Sequence, residues 1–426
     1  MRKIKAEKVL VYGKGTSGIG AKNALIKCGV NCTICDDNDF DETFTGDYDL
    51  IVVSPSITLD HKIFGIAKEI GAEIIGEIEL GGRICDKPLI AVTGTNGKTT
   101  VTELTGMAFG YSRDACVTGN VGRSFALDVT CDHDVYVCET SSFQLETIKS
   151  FSPHIAIVTN ITEDHLDRHG SFENYARIKM RIAAAQSPSD YLVLNADGIP
   201  QCALEDFHPQ SDVFYTSIKM PVRGAYLSGD KFYWLDEPIC KINRMKMMGL
   251  HNAENALSMI AAAKLSGIRN TDIVRALEEF EPDEYRIAYS GCVRGVAFYN
   301  DSKGTNVAAT IMAMRAMPSS YILIAGGFDK GCAVDGLFEN TDDRLVGVCA
   351  IGQTKFAVEE AAARKGIKTT VCGSLSEAVV EAYHSGADNV LFSPATSSFD
   401  MFEDYRARGA AFDKIVGEII KSEKIA

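Results

Sequence analysis

The run Leu89-Ile90-Ala91-Val92-Thr93-Gly94-Thr95-Asn96-Gly97-Lys98-Thr99-Thr100 decides how this chain is read. Its first five residues are apolar or β-branched and predict a buried strand. A glycine-rich turn ends the strand, and a helix-compatible segment follows. Strand, turn and helix in this order make a phosphate-binding loop. Backbone N–H groups of Gly94, Thr95, Asn96, Gly97 and Thr100 and the helix N-terminus cradle phosphate oxygens, Lys98 neutralises β/γ charge, and the Thr99 hydroxyl can ligate Mg2+. Val92 stands where the common form of the loop has glycine or alanine, so this is a variant. The bland alternative, a glycine-rich turn with an accidental Lys-Thr pair, does not explain the strand before it and the helix after it.

Two acidic motifs lie downstream, each after an apolar strand expected at 135–138 or 155–159: Glu139-Thr140-Ser141-Ser142-Phe143-Gln144-Leu145-Glu146 and Asn160-Ile161-Thr162-Glu163-Asp164-His165-Leu166-Asp167. Mg2+ prefers a few protein oxygens plus phosphates, and a carboxylate at a strand end beside the loop supplies one. Taken singly, Glu139 or His165 reads equally well as a surface residue. Upstream, a strand at 8–12 runs into Gly13-Lys14-Gly15-Thr16-Ser17-Gly18, a helix through Lys27 and a second strand ending at Asp36-Asp37. This βαβ start has dinucleotide-fingerprint spacing, and a bare Rossmann-like turn without nicotinamide is the preferred reading. A further strand at 50–54 closes on Ser54-Pro55-Ser56. Asp86-Lys87-Pro88 and Glu281-Pro282-Asp283-Glu284 read as linkers. Beyond the second, strands at 296–299, 321–325, 346–351 and 389–392 alternate with helices at 306–317 and 354–365. The fold expected is α/β in three domains: a Rossmann-like one at 1–87, a central P-loop ATPase-type one at 88–282 and a second Rossmann-like one at 283–426.

Length agrees, because 426 residues exceed one core and suggest about three domains. With 46% hydrophobic and 23% charged residues the chain has an ordinary globular balance. A net charge of −14 argues against nucleic-acid and anionic-membrane partners, which need a basic face. No apolar run approaches a signal-peptide core or a membrane span, so a cytoplasmic location is expected. The 13 cysteines lack a repeating spacing and read as reduced thiols. Cys32 and Cys35 fall in an expected strand, where positions three apart face opposite ways, so they read as structural rather than metal-binding.

The loop GTNGKTT, followed in order by E-x-S-S-F-Q-L and N-x-T-x-D-H-x-D, resembles the Mur ligases, which share the loop with folylpolyglutamate synthases. The resemblance implies two Mg2+ ions, one held by Thr99 and Glu139, the other partly by His165. Lys179, within Tyr175-Ala176-Arg177-Ile178-Lys179-Met180-Arg181, falls where the family has a carbamylated lysine that joins the second metal. Gly249-Leu250-His251-Asn252-Ala253-Glu254-Asn255 resembles the family's H-N-x-x-N stretch, which implies that Asn252 and Asn255 contact adenine; an asparagine N-cap competes with this.

Asn300-Asp301-Ser302-Lys303-Gly304-Thr305-Asn306 is similar to the D-S-K-A-T-N motif of the D-glutamate-adding branch, with Gly304 for alanine. Gly326-Gly327-Phe328-Asp329-Lys330-Gly331 and Ser393-Pro394-Ala395-Thr396-Ser397-Ser398-Phe399-Asp400-Met401-Phe402 match the same branch. By that likeness Thr305 and Lys330 hold one carboxylate of D-glutamate and Ser398 with the backbone near Tyr405 the other, Lys303 also contacts D-glutamate, and Asp301 and Arg286 reach the nucleotide. In the first domain Gly15, Thr16 and Ser17 would meet a uridine diphosphate and Asp36 the uracil region, while Ser56, with Asn120, Ser141, Gln144 and His165 of the central domain, would meet the rest of UDP-N-acetylmuramoyl-L-alanine. Lys14, Ser56 and Tyr285 depart from the pattern, which has an apolar residue, glycine and histidine there. The implied reaction is ATP-dependent amide ligation through an acyl phosphate by a monomer, with Lys98, His165, carbamylated Lys179 and Lys303 in the chemistry. His165 is a metal or substrate contact rather than a general base. An L-alanine-adding relative or a folylpolyglutamate synthase is the nearest rival, and the Rossmann-like start disfavours the latter. A non-catalytic binder is the rival from another class; intact Lys98, Glu139 and His165 argue against it.

Overall fold

Most strands of this chain are apolar along both faces, which suits parallel sheets covered by helices on each side. The computed structural model describes residues 2, 4–39, 46–247, 249–281, 285–329, 334–339 and 341–425. The first sheet contains β1 (Val9–Tyr12), β2 (Cys32–Cys35), β3 (Leu50–Val53) and β4 (Glu73–Gly76), all parallel, in the order β2-β1-β3-β4. The central sheet has nine strands: β5 (Leu89–Thr93), β6 (Ala115–Gly119), β7 (Val135–Glu139), β8 (Ile155–Val158), β9 (Tyr191–Asn195), β10 (Asp212–Ser217), β11 (Gly224–Ser228), β12 (Lys231–Trp234) and β13 (Glu237–Lys241). Their order is β13-β12-β11-β10-β9-β8-β5-β7-β6, with only β12 and β13 antiparallel to their neighbours. The third sheet has β14 (Ala288–Val293), β15 (Val296–Asn300), β16 (Tyr321–Ala325), β17 (Leu345–Ala350), β18 (Thr369–Val371) and β19 (Asn389–Phe392) in the order β14-β15-β19-β16-β17-β18. The fold is α/β with three domains, a P-loop domain between two Rossmann-like ones.

β5 shows why the core forms. Ile90 and Val92 point into a cluster with the helices Lys98–Gly110 and Leu250–Leu265, whereas Leu89 and Ala91 point into the cluster shared with the first sheet. All five of its residues are buried. Leu89, Ile90 and Val92 each contribute roughly 1.5–3 kcal/mol through removal from water.

The chain forms two compact units, Met1–Met247 with His251–Phe280, and Met248–Leu250 with Glu281–Ala426. The first two sheets share a unit because the helix Glu77–Ile84 is built for close approach. A Cβ on Gly81 would collide with Phe125, and one on Gly20 with Ser124. Glu77 Oε1 accepts bonds from Ser124 Oγ (2.6 Å) and Ala126 N (2.7 Å), and Glu79 accepts from the N–H groups of Lys149, Ser150 and Phe151.

The expected strands and helices form within one or two residues of their predicted ends. Asn306 is the N-cap of the helix Val307–Arg315, accepting from Ala309 N at 2.8 Å. The antiparallel extension β12–β13 had no counterpart in the sequence reading. Residues 282–284 of the second linker lie outside the described residues. Cys32 and Cys35 are unpaired thiols in β2 and pack into different clusters, as opposite faces require. Among the described residues no helix is long and apolar enough to cross a membrane.

Candidate active site

In the central sheet the chain leaves β5 for β6 and β7 on one side and β8 on the other, which makes the carboxyl end of β5 a topological switch point. Gly94 (φ +148°) and Gly97 (φ +82°) occupy backbone conformations that favour glycine. A Cβ on Gly94 would collide with Thr159 Oγ1, and one on Gly97 with Asn255 Oδ1. The start of the second acidic motif fastens the loop: Asn160 O accepts from Thr95 N (2.8 Å), Asn160 Oδ1 from Asn96 N (2.9 Å), and Asn160 Nδ2 donates to Asn96 O (3.0 Å). Lys98 begins the helix, with Thr99 and Thr100 beside it in the first turn, and its Nζ donates to Gly94 O (3.1 Å) and Thr95 O (2.9 Å).

Glu139 ends β7, only 2% exposed. Its Oε1 accepts from Asn120 Nδ2 at 2.8 Å, while buried Oε2 has no hydrogen-bond partner among the described residues. Lys179, on the helix Phe172–Met180, is equally buried; its Nζ donates to Gly94 O at 2.7 Å and lies 4.6 Å from the Tyr175 ring centroid. Burial, reinforced by the Lys98 charge, pushes the Lys179 amine well below the ordinary lysine range, against the pull of Asp164 and Glu139. His165 takes a left-handed backbone (φ +52°), and its ring meets Phe143 at 4.8 Å. A cleft of about 520 Å³ brings together Ser56, Lys98, Asn120, Ser141, His165 and Lys179. Among the described residues no three His, Cys, Asp or Glu side chains cluster as a metal cage. The orphaned Glu139 Oε2 near a phosphate loop fits Mg2+, which is bound through one or two carboxylates plus phosphates.

Ser141 and Gln144 form a reciprocal capping box on the helix Ser142–Leu145. Ser141 also reaches the cleft, whereas Gln144 is buried with Oε1 committed to that cap. In the first domain Gly13 (φ +110°) lies so close to β3 that a Cβ would run into Ser54 Oγ. Gly15 is the N-cap of the helix Thr16–Lys27, which has no side-chain cap, and the space over its Cα is open; Thr16 and Ser17 follow in the first turn. Lys14 pairs with Asp39 and stands 3.8 Å from Asp36 Oδ2, so this departure is tethered to the acidic strand end. Asn252 and Asn255 are buried inside the helix Leu250–Leu265 rather than at its N-cap, with Asn255 Nδ2 donating to Asn252 Oδ1 at 3.1 Å.

The three motifs of the second unit also meet at a switch point, where β19 inserts between β15 and β16. Asp301 is buried and accepts from Ser393 Oγ at 2.6 Å; burial pushes its carboxyl up to about 7 despite Ser393, Arg286 and Arg408. Arg286 has a buried Nε without a hydrogen-bond partner among the described residues. Lys303 Nζ lies 5.7 Å from the Tyr405 ring centroid, and Thr305 N donates to Lys303 O at 2.9 Å. Ser398 is buried, its carbonyl accepting from Met401 N and Phe402 N. Lys330 lies outside the described residues.

Sequence reasoning missed Arg408, which is fully buried and joins two of these motifs. Nε donates to Ser302 Oγ (3.0 Å), Nη2 to Ser302 O (2.8 Å) and Nη1 to Ser397 O (2.9 Å). No local signal marks it, because its acceptors are a hydroxyl and backbone oxygens of two other motifs, which only the fold brings together. Arg168, on the cleft wall, is also unmarked in the sequence, its partners being the Glu146 carboxylate and the Ile57 carbonyl.

Comparison with known proteins was consistent at every level. The Mur ligase middle domain matches residues 92–263. A UDP-N-acetylmuramoylalanine–D-glutamate ligase from Caldanaerobacter subterraneus subsp. tengcongensis is 38% identical, over 98% of this chain and 99% of its own length. Among solved structures, a pseudomurein peptide ligase type C from Methanothermus fervidus superposes with TM-score 0.64 at 17% identity, covering 97% of this chain and 100% of that one. A MurF ligase from Thermotoga maritima in complex with ADP gives TM-score 0.61 at 16% identity, covering 99% and 98%. These two likenesses concern the fold; the near full-length identity to the first relative carries the assignment further, and the chain belongs to the UDP-N-acetylmuramoylalanine–D-glutamate ligase family of Mur ligases.

Proposed function

We propose that this protein joins D-glutamate to UDP-N-acetylmuramoyl-L-alanine with hydrolysis of ATP to ADP and phosphate, as a cytoplasmic monomer. The observation that carries the reading is the meeting of Lys98, His165 and Lys179 with Ser56 and Asn120 around one cleft at the β5 switch point, where Asn120 in turn donates to Glu139. In this reading residues 1–87 bind the UDP-sugar, 88–282 bind ATP and 283–426 bind the amino acid.

A carboxylate anion does not yield an amide at useful rates, so it must first acquire a leaving group. The substrate carboxylate attacks the γ-phosphorus, ADP departs, and the D-glutamate amine then attacks the acyl phosphate, releasing phosphate and a proton. Lys98 and Lys303 offset the charge that develops, and backbone N–H groups of residues 94–100 orient the phosphates. Mg2+, when bound, screens the β- and γ-phosphate oxygens; Thr99 and Glu139 would hold one ion, His165 and Lys179 a second. Lys179 suits carbamylation, in which a neutral amine adds to CO2 and loses a proton, because its burial favours the uncharged amine. Asn252 and Asn255 would contact adenine, with Asp301 and Arg286 completing the nucleotide site. Thr16, Ser17 and Asp36 would take the uridine diphosphate, and Thr305, Lys330 and Ser398 the two carboxylates of D-glutamate.

The test is phosphate release with D-glutamate, L-glutamate, D-glutamine, L-alanine or meso-diaminopimelate, each with its matching UDP-sugar. D-Glutamate should be preferred, and D-glutamine should be poorer by roughly ten- to a hundredfold because one anion-binding group is left unpaired. Preference for L-alanine with peptide-free UDP-muramate, or release independent of any amino acid, would defeat the reading.

A further inference from the structure

Arg168 follows His165 by three residues, and its guanidinium joins two parts of the first unit. Nε donates to Glu146 Oε1 and Oε2 (3.1 and 3.2 Å), and Nη2 donates to Glu146 Oε2 at 2.6 Å and to the Ile57 carbonyl at 3.1 Å. Glu146 follows the helix Ser142–Leu145 of the central domain, whereas Ile57 follows Ser56 in the turn after β3 of the first domain. The same guanidinium lies 4.3 Å from the Phe143 ring centroid, and Phe143 in turn meets the His165 ring. The Arg168 and Glu146 side chains are 12% and 4% exposed, so the pair is little screened by water. Its geometry therefore constrains what it touches, on both sides of the cleft.

We propose that Arg168 is a positioning residue for ligation: it fastens the Pro55-Ser56-Ile57 turn to the Phe143 and His165 wall, and so fixes where the UDP-sugar carboxylate lies relative to the γ-phosphate. The kinetic part rests on the ligase reading above. Arginine suits the task because its planar fork serves acceptors in different directions at once. A lysine could keep the charge opposite Glu146 but would not hold the carboxylate in a fork and span to Ile57 O as well.

The experiment compares wild type with Arg168→Lys and with the double variant Arg168→Met/Glu146→Gln, which leaves no unpaired buried carboxylate. A purely structural role would lower kcat through loss of active protein and leave every KM unchanged. The positioning role raises KM for UDP-N-acetylmuramoyl-L-alanine by about tenfold and lowers kcat per folded enzyme in both variants, with KM for ATP and D-glutamate within about twofold. Backbone hydrogen exchange over residues 55–59, measured without substrates, should accelerate in Arg168→Lys while that of the helix Lys98–Gly110 stays unchanged. Wild-type KM values with or without a fall in kcat, unchanged exchange over 55–59, or failure of both variants to fold would each overturn the proposal. A wild-type enzyme inert with D-glutamate, together with the exchange difference, would discard the ligase reading and leave the Arg168 clamp standing.

Discussion

Replacing Glu77 by glutamine should stabilise the first unit at alkaline pH and do little at pH 5. The carboxyl is 2% exposed beneath Ser124 and Ala126, and burial, outweighing both of its hydrogen bonds and helped by Asp128, pushes it from the ordinary 4.5 to about 7. The unfolded chain thus loses this proton near 4.5, whereas the folded chain keeps it until about 7. Between these values the native state binds more protons than the unfolded state, so stability falls as pH rises and levels off above about 7. The interval corresponds to roughly 3 kcal/mol. Glutamine retains an acceptor for Ser124 Oγ and Ala126 N and never ionises, although its extra amide hydrogens cost about 1 kcal/mol at every pH if unpaired. The slope is therefore the test. Urea unfolding followed through Trp234, the single tryptophan and part of the same unit, would be run from pH 5 to pH 8.5. The gap between variant and wild type should move in the variant's favour by about 2–3 kcal/mol over that range. A constant gap, or one moving the other way, would refute the reasoning.

The remaining expectations concern the loop and the metals. Lys98→Ala should reduce phosphate release by at least about a hundredfold while circular dichroism and melting stay near wild type, since it removes charge at the reacting phosphate rather than core packing. Lys179→Ala should be nearly inactive and partly rescued by acetate or another short carboxylic acid; full activity would return this lysine to a structural role. Gly97→Ala forces a Cβ into a left-handed backbone against Asn255 and should weaken ATP binding by about tenfold or more in calorimetry, without changing UDP-sugar affinity.

What the sequence made legible is what repeats at short range. The β5 run and its loop are visible because period, glycine placement and helix onset agree within twelve residues, and the structure keeps their boundaries. Strand-end motifs such as Glu139 and Asp301 were likewise readable: in parallel sheets with helical crossovers, loops from different strands meet at the carboxyl ends, so a polar motif after an apolar strand lands near others of its kind. Interactions that pair distant segments were hidden. Arg408 and Arg168 sit in helices with ordinary neighbours, and only the fold brings Ser397 O or Ile57 O to them. The edge strand β13 gives no strand signal because Pro238 and the exposed Glu237 and Lys241 interrupt the apolar pattern, as such residues do at sheet edges.

The union of the first two sheets was hidden for a different reason. A sequence reading treats Gly81 and Gly82 as poor helix formers, each costing about 1 kcal/mol relative to alanine. In the folded chain their missing side chains admit the rings of Phe125 and Phe151, and Glu77 and Glu79 on the same short helix accept N–H groups from the opposing domain. Local propensity was therefore traded for close approach between domains. The turn carrying Ser56 and the loop carrying Lys98 belong to the two domains so joined, and both reach the same cleft. In the proposed reaction such a join has a chemical use: if the UDP-sugar lies on one domain and ATP on the other, phosphoryl transfer would lose rate when the reacting atoms are misplaced by as little as about 1 Å.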